Sequence, residues 1–112
     1  MRRVPLAILL VALTFLVAPG CGRKPYEVAI AVTRAGFVPK RADVPRGRDV
    51  TIIFTRDVEQ TCAIDVVFPT LRRGFDLPLR VPVRVRLTAA DVRDTLAFSC
   101  STKQTSGMLV AR

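Results

Sequence analysis

The sequence predicts an all-β domain, a β-sandwich or a small barrel, and three observations carry that expectation. Apolar and polar residues alternate at period two in several short segments. Pro, Gly and Asp recur at turn positions between them, at the spacing of roughly 8 to 12 residues typical of sandwiches. No stretch of twelve residues beyond the N-terminal segment carries an i, i+3, i+4 apolar stripe. With 112 residues the chain has room for one small domain, and no internal repeat is visible.

Residues 1–20 stand apart from that domain. Met1, Arg2 and Arg3 form a positive head, and Val4 to Ala18 is an apolar run of 15 residues, short of the roughly 20 that a membrane-spanning helix needs. This is the pattern of a secretory signal peptide. Cys21 follows Ala18-Pro19-Gly20, and a Cys placed directly after a small residue at the end of such a run resembles the lipobox of bacterial lipoproteins. The resemblance implies lipid on Cys21, an anchor in a membrane and an extracytoplasmic location, the periplasm or cell envelope. Ala18, where the lipobox usually has Leu, and Pro19, where it has a small residue, depart from the usual pattern, and Ala18-Pro19-Gly20 also satisfies the small-x-small rule for plain secretory cleavage. Residues 21–25 then form a short linker, and the domain is expected over 26–112.

Within the domain, Tyr26, Val28, Ile30 and Val32 alternate with Glu27, Ala29, Ala31 and Thr33, as in a half-buried strand. Val50, Ile52 and Phe54 repeat the pattern. Val81, Val83, Val85 and Leu87 alternate most cleanly, with Arg80, Pro82, Arg84 and Arg86 on the other face; the proline suggests an edge strand or a strand start. Shorter runs at 63–68, 96–99 and 108–111 make six or more strands. The alternation reads as antiparallel sheet. Thr88-Ala89-Ala90-Asp91 places a hydroxyl before a carboxylate three residues on, so one capped helical turn is expected there, crossing between strands.

Composition limits the chemistry. The chain has no His, which excludes a Ser-His-Asp triad, a His general base and a His-ligated metal centre. Asp57, Glu59, Asp65, Asp91 and Asp94 form no carboxylate pair; strand parity turns Asp65 away from the cysteines, and surface charge or turn capping accounts for the others. Ser99, Ser101, Thr102, Thr105 and Ser106 lack a general base, so no enzyme is expected. There are 18 basic and 9 acidic side chains, and loss of Arg2 and Arg3 with the signal would leave an excess of seven positive charges. Such a surface attracts anionic lipid or acidic proteins. Nucleic acid is not an expected partner, because no Lys/Arg run exceeds two and few aromatics are available for stacking. Arg72-Arg73 reads as a solvated loop pair.

Cys62 opens the run ending at Phe68, and Cys100 closes the run Thr95 to Cys100. By parity Cys62 shares a face with Ile64, Val66 and Phe68, and Cys100 with Leu96 and Phe98, so both sulfurs point inward. If the two strands are antiparallel, the start of one and the end of the other lie at the same pole and the sulfurs can meet. Three states are open to them: a disulfide, a dithiolate metal site, or unpaired buried thiols. An oxidising compartment favours the bridge, and closing a loop of about 39 residues would contribute roughly 4 kcal/mol in the chain-entropy model. Thiolates would instead suit a soft ion such as Cu(I).

Several segments, in order and spacing, resemble the bacterial cupredoxin-like domains of the EfeO type. They are Gly36-Phe37-Val38-Pro39, Val44-Pro45-Arg46-Gly47, and Val50-Thr51-Ile52-Ile53-Phe54-Thr55-Arg56, then Thr61-Cys62 with Val66-Val67-Phe68-Pro69, and Phe98-Ser99-Cys100 with Gly107. The resemblance spans Tyr26 to Val110. It implies a cupredoxin-like Greek-key β-sandwich of about seven strands, and copper binding or electron transfer through Cys62 and Cys100 at one pole. The family's two methionines after the last cysteine are replaced here by Thr102 and Gln104, which leaves Met108 as the nearby thioether. The other expectation is a metal-free, disulfide-closed monomer that binds another envelope protein or serves a structural role.

Overall fold

The computed structural model describes residues 24–112; the expected signal peptide, Cys21 and its lipid lie outside the described residues. Nine strands form two facing sheets. β1 (Tyr26–Thr33), β2 (Gly36–Val38), β4 (Val50–Arg56) and β7 (Val83–Leu87) make a four-stranded sheet in the order β2-β1-β4-β7. β3 (Arg41–Val44), β5 (Asp65–Phe68), β6 (Arg73–Asp76), β8 (Thr95–Ser99) and β9 (Ser106–Ala111) make a five-stranded sheet in the order β3-β9-β8-β5-β6. The all-β sandwich expected from the alternation is therefore present. The alternating residues do face its interior: Val28, Ile30 and Val32 of β1, Ile52 and Phe54 of β4, and Val85 and Leu87 of β7 are all buried.

The core is organised around phenylalanines. Phe37, Phe54, Phe68 and Phe98 are all fully buried. Their rings meet edge to face, with centroids 5.0 Å apart for Phe37–Phe98 and 5.5 Å for Phe54–Phe98. In this geometry the positive ring edge meets the negative face, worth about 1 kcal/mol per pair beyond area burial. Phe98 is the hub, and Gly107 makes room for it: a Cβ at Gly107 would lie 2.4 Å from Phe98 Cζ and 2.9 Å from the Lys40 carbonyl oxygen.

The sheets are mixed, which corrects the antiparallel expectation. β1 pairs with β4 in parallel (Tyr26 opposite Val50), and β3 pairs with β9 in parallel (Arg41 opposite Met108). Between β1 and β4 the chain passes through β2 and then through β3 in the other sheet, so β4 re-enters from the end where β1 began. Period-two alternation reports which face is buried, and carries no information on the direction of the neighbour. β2, β3 and β6 were also not anticipated as strands; each has only three or four residues, too few to display a period.

Two local expectations hold and two shift. α1 (Ala89–Val92) crosses from β7 to β8, and its capping box is complete: the Asp91 N–H donates to Thr88 Oγ1 at 3.1 Å, and the Thr88 N–H donates to Asp91 Oδ2 at 2.9 Å. β7 is an edge strand, as Pro82 suggested. It starts only at Val83, leaving Val81 half-exposed in the preceding turn. Arg73 is not a loop residue. It opens β6, stacks its guanidinium 5.3 Å from the Phe75 ring centroid, and donates to the Arg86 carbonyl at 3.2 Å.

Candidate metal centre

Antiparallel pairing of β5 and β8, with Val67 opposite Ser99, puts the beginning of one beside the end of the other. Cys100 follows β8 on the inward face shared with Leu96 and Phe98, and is fully buried. Cys62 lies in the loop that leads from β4 to β5 and is half-buried. The two Sγ atoms are 3.5 Å apart across 38 residues of sequence, and both thiols are free. The convergence expected from parity is thus realised, by a slightly different route. β5 begins only at Asp65, so alternation does not extend back to Cys62; Ala63 is the buried neighbour and Ile64 points out, 56% exposed. What turns Cys62 toward its partner is a local bend in which the Ala63 N–H donates to Thr61 Oγ1 at 3.1 Å.

The segment after Cys100 wraps around its sulfur. The Lys103 N–H donates to the Cys100 carbonyl at 2.9 Å and the Cys100 N–H donates to the Thr105 carbonyl at 3.1 Å, closing a tight turn with Lys103 in the left-handed region. Thr102 Oγ1 lies 3.1 Å from Cys100 Sγ. Gly36, at φ +98, lets this turn sit against the β1–β2 hairpin, since a Cβ there would overlap Thr105 Oγ1. Asp65, expected to face solvent away from the cysteines, instead accepts the Ser101 N–H on Oδ1 at 2.9 Å and pins the residue next to Cys100. It holds the loop and touches neither sulfur.

The surroundings make the two thiols unequal. Burial pushes the Cys100 thiol up. Hydrogen bonds with the Thr102 hydroxyl, the backbone of Thr105, the Cys62 thiol and the backbone of Gln104 outweigh it, and the net result is a pKa drawn down from 9.0 to about 7. Cys62 moves the other way, raised by burial, by its hydrogen bond to Cys100 and by the charge on that sulfur. The 3.5 Å contact thus links a more acidic thiol, Cys100, to a less acidic one, Cys62.

Met108 is not brought to the pair. It pairs with Ala97 in the β8–β9 register, on the outer face and one residue out of step with Phe98 and Gly107, and is 40% exposed. Among the described residues no group of three or more His, Cys, Asp and Glu could hold a metal ion, and the soft donors brought together at this pole are the two cysteine sulfurs. Sequence reasoning missed the supporting residues Thr61, Asp65 and Thr102. Their roles depend on contacts over two to 36 positions that no period encodes. Arg56, on the inward face of β4 after Phe54, has its Nε buried without a partner among the described residues.

No family model matches the sequence, and no curated protein matches it. Solved structures do share the fold. The metal-binding domain of the Cu(I)-exporting P-type ATPase CopA of Streptococcus pneumoniae D39, solved with Cu(I), aligns at TM-score 0.68 and 19% identity, over 77% of this chain and 84% of that domain. The solution structure of a copper binding protein in the apo form aligns at TM-score 0.69 and 21% identity, over 81% of this chain and 92% of that one. The chain has the fold of these two copper-handling domains.

Proposed function

We propose that this protein is a non-catalytic, extracytoplasmic copper-binding domain that takes up Cu(I) through Cys62 and Cys100 as thiolates. The observation that carries this reading is the pair of free sulfurs 3.5 Å apart at one pole, with Cys100 already drawn toward the thiolate form. Thiolates are soft donors that select Cu(I), and two fold neighbours are described as copper-handling proteins. Without imidazole the pair offers Cu(II) no matching donors, so storage or delivery of Cu(I) suits it better than electron transfer. Export and lipidation at Cys21, with attachment to a membrane, rest on the N-terminal sequence pattern.

Anaerobic titration of the reduced protein with Cu(I) against a chromophoric chelator tests the reading. One equivalent bound, lost in both Cys62→Ser and Cys100→Ser and retained in Met108→Leu, is the expected result. The sulfur proximity also favours a second reading, the metal-free disulfide-closed module. Thiol titration of protein isolated without reductant distinguishes the two: no reactive thiol and no bound copper would support the bridge.

A further inference from the structure

Granting that Cys62 and Cys100 hold Cu(I), a reading on which this inference rests, the geometry points to an open two-sulfur site completed from outside. In this site an exogenous soft sulfur donor, a thiol or thioether, supplies the third ligand. Among the described residues the donors brought together stop at two. Met108 faces outward from β9, the turn after Cys100 presents the Thr102 hydroxyl where a thioether would be needed, and no His exists. A hydroxyl that donates to sulfur is a hard oxygen with little affinity for a soft ion.

The spacing of the pair leaves a place for the third ligand. Sulfurs 3.5 Å apart are closer than twice the ~2.3 Å of a zinc–thiolate bond, so at this spacing a shared ion would lie off the line that joins them and leave a side open to a third ligand. Cys100 is sealed in the core, so the accessible side of the pair is that of half-buried Cys62. Two residues on from Cys62, Ile64 is 56% exposed. Binding is a substitution in which Cys62, Cys100 and an incoming thiol each release a proton to solvent while copper remains Cu(I), so no oxidant or reductant takes part.

Copper K-edge X-ray absorption of the full chain loaded with one equivalent of Cu(I), with and without excess glutathione as the monothiol probe, tests the inference alongside sedimentation velocity. The expected result is two sulfur scatterers for the monomer alone and three with glutathione. Three sulfurs without glutathione in a copper-dependent dimer would identify a second copy as the source of the same donor chemistry. Three sulfurs in a thiol-free monomer, or a count of two that glutathione leaves unchanged, would overturn the open site while leaving copper binding intact. Absence of bound copper would overturn both readings. Thr102→Met, which places a thioether beside Cys100, should give three sulfurs without added thiol and abolish the response to glutathione; a persisting response would count against the inference.

Discussion

Cys100 joins full burial to easy loss of its proton, a combination that burial alone opposes. The turn of residues 101–105 resolves the conflict by aiming donors at the sulfur. Replacing Thr102 with Val removes the hydroxyl at nearly constant volume, and the Cys100 pKa should rise from about 7 toward 9.0. The pH dependence of iodoacetamide alkylation in a Cys62→Ser background reads that shift directly. Folding stability should follow the same groups. A thiolate whose folded pKa lies below its ordinary 9.0 stabilises the fold fully above pH 9.0, progressively less between 9.0 and about 7, and not at all below. Cys62, with a raised pKa, stabilises below 9.0 and loses that contribution as pH rises above it. Relative to the double serine variant, reduced protein should gain stability from pH 7 to 9 and lose it beyond. Denaturant midpoints measured under reductant check both limbs.

At the scale of elements, the sandwich is held together by close approaches that only glycine permits and by a capped crossing. Gly107 in β9 lies under the Phe98 ring of β8. Gly107→Ala drives a methyl into that ring and into the Lys40 carbonyl, and should cost about 1–3 kcal/mol by urea unfolding, as overpacking does. The β7–β8 crossing depends on the Thr88–Asp91 capping box, and Thr88→Ala should cost about 1 kcal/mol without altering copper affinity, because α1 sits at the opposite pole from the cysteines. Sequence and structure agree best for elements such as these. A capping box is a four-residue chemical pattern, and β1, β4 and β7 are long enough to display their period. β2, β3 and β6 escaped notice because three or four residues cannot, and the parallel pairings did so because alternation is blind to strand direction.

For the molecule as a whole, two sulfurs 38 residues apart meet only when β5 and β8 have paired in the five-stranded sheet, so the candidate site belongs to the folded state. An ion bound by the folded chain alone stabilises it by mass action, about 2.7 kcal/mol at a free concentration 100 times the dissociation constant. Cu(I) should therefore raise the thermal midpoint of the reduced protein and leave that of Cys100→Ser unmoved; differential scanning calorimetry under anaerobic conditions provides the measurement. The site was legible in part. Parity correctly sent Cys100 inward and predicted that antiparallel β5 and β8 would bring the cysteines to one pole. It failed for Ile64, where the strand had not yet begun and a side-chain bend at Thr61 set the direction instead.

The sequence by itself determined the all-β class, the inward faces of the long strands, the capped crossing and the exclusion of imidazole chemistry, because each follows from residue type or from local spacing. Only the tertiary structure decided that the sheets are mixed, that the sulfurs stand 3.5 Å apart with unequal acidity, and that Met108 faces away from them. Those facts depend on register between strands distant in sequence and on hydrogen bonds gathered around one buried atom. Neither leaves a period or a motif for the linear chain to display.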